Sequence, residues 1–180
     1  MSTSNLIKVT KISPREYKKL PALMLNYGTA PTRFGNCLTA FKNDTLCYLS
    51  FYDKEPPLED LKKTWANATL TENEALIARN VAKLFESDDN VEIYLKGTDF
   101  EMEVWEALLK LKKGTTASYE DVAKAVGRPR AVRAVGRAVG KNNVAYFVPC
   151  HRVISKDGSV HKYRSGAHRK LKMLKEEGAI

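Results

Sequence analysis

The sequence predicts an α+β protein: a small α/β N-terminal domain over residues 1–96, then a mostly α C-terminal domain over 97–180 that carries a helix-turn-helix. Three observations predict it. Alternating β-formers and helix-spaced apolar residues are interleaved through the first half. Two short helical stretches joined by a Gly-containing break follow between 118 and 140. The positive charge is also segregated: residues 1–97 hold 13 Lys/Arg against 12 Asp/Glu, a net of +1, whereas residues 98–180 hold 17 against 9, a net of +8.

In the first half, GNCLTAFKNDTLCYLSFY (35–52) reads as two strands around a turn at Lys42-Asn43-Asp44, and Pro56-Pro57 closes the unit. Leu58–Trp65 and Glu72–Phe85 show helical spacing, the latter through Leu76, Ile77, Val81, Leu84 and Phe85. Val91–Leu95 alternates as a short strand, and Gly97-Thr98-Asp99 marks a boundary. In the second half, Phe100–Leu111 is predicted as a helix with Phe100, Val104, Trp105, Leu108 and Leu111 on its apolar face, ended by Lys112-Lys113-Gly114. Ser118-Tyr119-Glu120-Asp121 is a capping-box pattern for a helix running to Val126. Gly127-Arg128-Pro129-Arg130 interrupts, and Ala131–Gly140 restarts a helix.

That last helix is built from small residues, Ala131, Ala134 and Gly136 among them, with Arg133 and Arg137 four apart on one face. It can be a close-packed helix with two solvated arginines. It can also be a helix laid against a nucleic-acid groove, arginines reaching for phosphates and base edges; the charge asymmetry favours this second use. The absence of Asn or Gln base-readers on it implies weak sequence preference.

Composition excludes several classes. A chain of 180 residues that is 43% hydrophobic and 28% charged is an ordinary globular protein. It has no apolar run near the roughly 18 residues of a membrane span, and the N-terminus lacks a signal-peptide core. An intracellular protein without a membrane partner is expected. Cys37, Cys47 and Cys150 share no CxxC spacing, so neither a disulfide framework nor a metal site is expected.

Val144–Val148 is a short apolar run expected to be a buried strand, and it leads into Pro149-Cys150-His151-Arg152-Val153-Ile154. A lone cysteine near a strand end is ordinarily inert core. Here Pro149 stiffens the backbone before it. His151 and Arg152 add a base and a fixed cation beside a thiol whose reactivity follows its thiolate fraction.

Together GTDFEMEVWEAL, SYEDVAKAVGRPRAVRAVG, PCHRVI and YRSGAHRKLKMLKEEG make the stretch from Gly97 to Gly178 resemble the C-terminal domain of the O6-alkylguanine-DNA alkyltransferases, the methylated-DNA–protein-cysteine methyltransferases. The first half fits the family's N-terminal α/β domain more loosely. The resemblance implies a single-turnover methyltransferase that repairs DNA by direct reversal. It would move the alkyl group of O6-alkylguanine, and of O4-alkylthymine, from double-stranded DNA onto Cys150 after flipping the nucleotide through the minor groove. By position, His151 would act as base through a water, oriented by Glu177. Tyr163 would meet the departing guanine oxygen, Lys170 would lie beside the pocket, and Asn142 would tie the recognition helix to the active-site loop. Arg152 would serve the fold through ion pairs. Arg133 would fill the space of the extruded nucleotide and Tyr119 would press on the adjoining phosphate, with Ala131, Ala134, Gly136 and Arg137 along the groove. Val139, Val148, Pro149, Val160 and Tyr163 would line the alkyl pocket. No cofactor or metal is implied, and a monomer is expected, in the nucleus of a eukaryote or the cytoplasm of a bacterium or archaeon.

One departure stands beside this pocket: His161-Lys162 precede Tyr163 where the family carries a small residue, which bears on the tolerance for bulky alkyl groups. Three rival functions remain to be discriminated. A binding-only relative of the alkyltransferases would lack the acceptor cysteine. A cysteine hydrolase would need an oxyanion-forming turn, and a transcription factor would need polar base-readers and a dimer interface.

Overall fold

The computed structural model describes residues 6–87, 89–160 and 163–180. The chain divides into two compact units, Met1–Lys96 and Gly97–Ile180.

The first unit is a six-stranded mixed sheet with helices. Its strands are β1 (Ile7–Ile12), β2 (Met24–Thr32), β3 (Gly35–Lys42), β4 (Thr45–Tyr52), β5 (Thr69–Glu72) and β6 (Val91–Lys96), in the order β1-β6-β4-β3-β2-β5. The β2-β3-β4 meander is antiparallel, while β1 and β5 join in parallel. The β3–β4 turn falls where Asn43 adopts φ 53, a left-handed conformation that asparagine tolerates. The accompanying helices are α1 (Pro14–Tyr17), α2 (Leu58–Thr64) and α3 (Glu74–Glu86). Glu72 belongs to β5 rather than to the helix, because Asn73 caps α3 through the Leu76 amide and so fixes its start two residues later than periodicity suggests. One cluster of core residues joins Leu25, Leu38, Tyr48, Leu61 and Trp65, with the Trp65 indole donating to the Cys47 carbonyl at 3.1 Å.

The second unit holds α4 (Asp99–Leu109), the two-residue strands β7 (Ala117–Ser118) and β8 (Val153–Ile154), α5 (Tyr119–Ala125), α6 (Val132–Gly140) and α7 (Ala167–Glu176). Thr98 and Glu101 form a capping box on α4, and Ser118 and Asp121 form one on α5. Trp105 of α4 is buried and donates to the Ala138 carbonyl of α6 at 2.9 Å, which sets the depth of α6. A Cβ on Gly97 would lie 2.6 Å from the Trp105 ring, so only glycine fits there. Between α5 and α6 the chain turns through Gly127 at φ 71, completing the helix-turn-helix. Ala131 is the N-cap of α6 and not its first turn.

Val144–Val148 is not a strand. Apolarity correctly marks the segment as mostly buried, yet its backbone folds into successive turns: Phe147 N–H donates to Ala145 and Val148 N–H to Val144, and Tyr146 adopts φ 72. An apolar run reports burial, and periodicity cannot tell a buried strand from a buried turn of the same length.

Candidate active site

Cys150 opens a 3₁₀ turn, Cys150–Arg152, that Pro149 precedes and that β8 follows; the residues on either side of the thiol are buried. The preceding loop is organised by one buried amide. Asn142, two residues past the end of α6, donates through Nδ2 to the Val148 carbonyl at 2.8 Å and to the Cys150 sulfur at 3.1 Å. Its Oδ1 accepts from the Val144 amide at 3.0 Å. Both amide hydrogens and the oxygen are thus used, and the sulfur is held at a fixed distance from the helix-turn-helix.

Burial raises the Cys150 thiol above its ordinary range, while the Asn142 amide, the Lys170 charge and the Tyr163 hydroxyl oppose that rise. A buried thiol among three groups that favour its anion stays protonated at rest and is stabilised once the proton leaves. The Lys170 side chain is 1% exposed, donates to the Val153 carbonyl at 2.5 Å and lies 6.0 Å from the Tyr163 ring centroid. Burial pulls its ammonium down to about 8. The Tyr163 hydroxyl approaches Met173 Sδ at 3.7 Å, and burial followed by the nearby Cys150 charge pushes its phenol well above the usual value. It therefore remains a proton donor at neutral pH.

His151 belongs to a second cluster with Glu177 and Arg152. Its ring is fully buried, with Nε2 2.9 Å from Glu177 Oε1, and Nδ1 has no hydrogen-bond partner among the described residues. The same carboxylate accepts from Arg152 Nε and Nη2, both at 2.9 Å, and Arg152 Nη1 reaches the Leu111 carbonyl at 2.7 Å. Burial would raise the Glu177 carboxyl, but the His151 and Arg152 hydrogen bonds outweigh it and bring it down to about 2. Burial lowers the His151 imidazole more than Glu177 raises it. The pair is then a neutral imidazole beside a carboxylate. Glu177 accepts the Nε2 hydrogen, which leaves the Nδ1 lone pair free. Since one ring nitrogen is committed and the other unpartnered, His151 makes no direct hydrogen bond to Cys150.

The helix-turn-helix presents a different surface. Val135, Ala138 and Val139 face inward, whereas Arg133, Arg137 and Gly140 are exposed and Ala131, Ala134 and Gly136 half-buried. Neither the Arg133 nor the Arg137 side chain has an ion pair or hydrogen bond among the described residues. A Cβ on Gly136 would meet only the Tyr119 ring, at an ordinary 3.9 Å, and one on Gly140 would meet nothing. Internal packing thus does not demand glycine at either position. Tyr119 sits at the start of α5, and burial followed by the nearby Cys150 charge raises its phenol.

The structure therefore brings Cys150, Asn142, Tyr163 and Lys170 together, joins His151 to Glu177 and Arg152, and lays Tyr119 near both the thiol and Gly136. Val148 and Pro149 are buried beside the thiol in sequence, Val139 is buried on α6, and Val160 is half-buried in the loop before α7. His161-Lys162 lie outside the described residues. Sequence reasoning missed Tyr146, whose ring lies parallel to the His151 imidazole with centroids 5.7 Å apart.

Fold and site define a helix-turn-helix protein that holds one buried cysteine beside a histidine–glutamate pair. Residues 99–179 match the family model "6-O-methylguanine DNA methyltransferase, DNA binding domain". The chain is 32% identical over 162 residues to the bifunctional transcriptional activator/DNA repair enzyme Ada of Escherichia coli, covering 86% of this chain and 46% of that protein. It is 48% identical over 88 residues to a methylated-DNA–protein-cysteine methyltransferase of Mycobacterium tuberculosis, covering 49% and 53%. The chain spans about half the length of the curated relatives it matches. Among solved structures, Mycobacterium tuberculosis OGT in complex with DNA superposes with a TM-score of 0.68 at 30% identity, over 87% of this chain and 93% of that one. The chain belongs to the O6-methylguanine-DNA methyltransferase family.

Proposed function

We propose that the protein repairs alkylated DNA by transferring the alkyl group of O6-alkylguanine to Cys150, once per molecule. One observation carries this reading: the Cys150 sulfur is held at 3.1 Å by Asn142, beside groups that stabilise its anion and a neutral histidine whose second nitrogen is free. In the transfer, the thiol proton passes through a water to His151 Nδ1, and Glu177 stabilises the imidazolium that results. The thiolate attacks the alkyl carbon, a C–S bond forms, and the C–O bond breaks with its electrons remaining on guanine. Tyr163, still protonated, donates to the departing base. Lys170 supports the thiolate charge. The thioether product is not reversed by thiol exchange, so no second turnover follows.

Duplex DNA enters against the outer face of α6. Its small residues let the backbone approach the minor groove, and the unpaired Arg137 side chain meets phosphate. Arg133 occupies the space of the extruded nucleotide while Tyr119 presses on the adjoining phosphate. Extrusion is required because a sulfur in this turn cannot reach an atom inside a stacked duplex. The relative solved in complex with DNA supports the same partner for this chain. A cysteine hydrolase is disfavoured because it would have no use for the exposed arginines of α6.

The test is incubation with a duplex bearing O6-methylguanine, followed by intact-protein mass measurement. A gain of one methyl group that is absent in Cys150→Ser supports transfer. A protein that binds the duplex with unchanged mass is a binder only, and the proposal fails.

A further inference from the structure

The aromatic ring over His151 belongs to a residue to which neither the motifs nor the proposed reaction assigns a role. Tyr146 is one of three non-glycine residues with positive φ among those described, and the other two are asparagines, which tolerate that region far better than a bulky aromatic. Such a conformation persists only where its surroundings over-determine it. The turn that imposes it is pinned on one side by Asn142 to Val144 and on the other by the Val148 amide to Val144, with the Phe147 ring edge-on at 5.2 Å. The outcome is a phenol ring parallel to the imidazole within 8°, centroids 5.7 Å apart. Tyr146 itself is only half-buried while His151 is wholly buried. Its ring therefore stacks, laterally offset, against one face of the imidazole.

We propose that Tyr146 is a positioning residue for the base, fixing the plane of the His151 ring so that Glu177 holds Nε2 and Nδ1 is presented toward the thiol proton. This rests on the alkyl-transfer reading above. A hydrogen bond at one ring nitrogen leaves the imidazole free to tilt about that bond; a parallel aromatic surface removes that freedom. The strained backbone is what places the ring. The charged and titratable groups around His151 are Lys170 from α7, Glu177 at its C-cap, Arg152 from the 3₁₀ turn and, next in sequence, Cys150. Burial is the largest influence on the imidazole and lowers it. Removing the covering ring admits water and raises it toward the ordinary range, so the base is lost to protonation at higher pH.

The full chain is compared with Tyr146→Gly and Tyr146→Phe. Glycine accepts the positive φ without strain, so it removes the ring and leaves the turn its conformation. Phenylalanine keeps the stack. Two readouts are taken: the pH profile of single-turnover methyl transfer from an O6-methylguanine duplex, and the His151 tautomer by nitrogen NMR. Tyr146→Gly is expected to slow transfer roughly tenfold to a hundredfold at neutral pH, to move the acidic limb to higher pH, and to mix the Nε2–H tautomer with other forms. Tyr146→Phe is expected to match the wild type in both. A merely structural role would lower the active fraction without moving limb or tautomer, and that result overturns the proposal. So does a Tyr146→Phe variant that behaves like Tyr146→Gly. If the wild type transfers no methyl group the function falls, while the tautomer readout still reports on the stack by itself.

Discussion

Replacing Glu177 by glutamine should remove the electrostatic tie that joins α7 to the active-site turn. The carboxylate side chain is 2% exposed and accepts three hydrogen bonds, one from His151 and two from Arg152. Its carboxyl is brought from an ordinary 4.5 to about 2. At 1.36 kcal/mol per pH unit, that difference is worth about 3 kcal/mol. The sign with pH follows from the depressed folded value. The stabilisation is complete above the unfolded carboxylate range, shrinks as pH falls below about 4.5, and is gone by about 2. Native-state hydrogen exchange at amides of Gly97–Ile180 reads the effect in the full chain, because the second unit's stability is followed separately from the first. Glu177→Gln should open about 3 kcal/mol more easily at neutral pH, and its difference from wild type should narrow on acidification. A loss below about 1 kcal/mol, or a difference independent of pH down to acid, would refute the reasoning, since only a neutralised carboxylate can make the difference vanish.

Asn142→Ala leaves the Val144 amide buried without its partner and the Val148 carbonyl with the Cys150 amide alone, and should cost about 1–3 kcal/mol in denaturant unfolding. Because the amide is the largest influence holding the Cys150 thiol down, the pH profile of its iodoacetamide alkylation should move upward in the same variant. Arg137→Ala should weaken binding to undamaged and damaged duplex alike and reduce the salt slope of affinity by about 1. Arg133→Ala should instead slow alkyl transfer more than it weakens binding to undamaged DNA, measured by single-turnover kinetics beside equilibrium titration. Gly136→Leu should leave thermal stability intact, since a Cβ there meets only the Tyr119 ring at an ordinary 3.9 Å, yet impair duplex binding by holding α6 away from the groove.

Much of this was legible in the sequence for identifiable reasons. Local chemistry writes itself plainly: the capping box at Ser118, the boundary at Thr98, the Asn43 turn and the apolar face of α4 each need only residues within a few positions. The charge asymmetry pointed to the correct half of the chain. Long-range features were harder. Strand β1 has no local partner and exists because β6, some eighty residues on, pairs with it in parallel. The short α1 depends on the Ser13 capping box, and β5 on pairing with β2. The joining of His151 to Glu177 spans 26 residues and was reached only through the family resemblance, since spacing offers no signal for it. Arg152 was placed in ion pairs, and its fork onto Glu177 supplies them. Tyr146 was invisible because a tyrosine in an apolar run reads as core, and nothing local announces that its backbone will turn left-handed.

Counting methyl groups tests the central claim most directly. Increasing amounts of duplex carrying an isotopically labelled O6-methylguanine are added to a fixed amount of protein, and the label on the Cys150 peptide is measured. The account predicts a plateau at one methyl group per chain, all of it on that peptide, with no further repair once the plateau is reached. Continued repair beyond one equivalent, or label on Cys37, Cys47 or no cysteine at all, would contradict it.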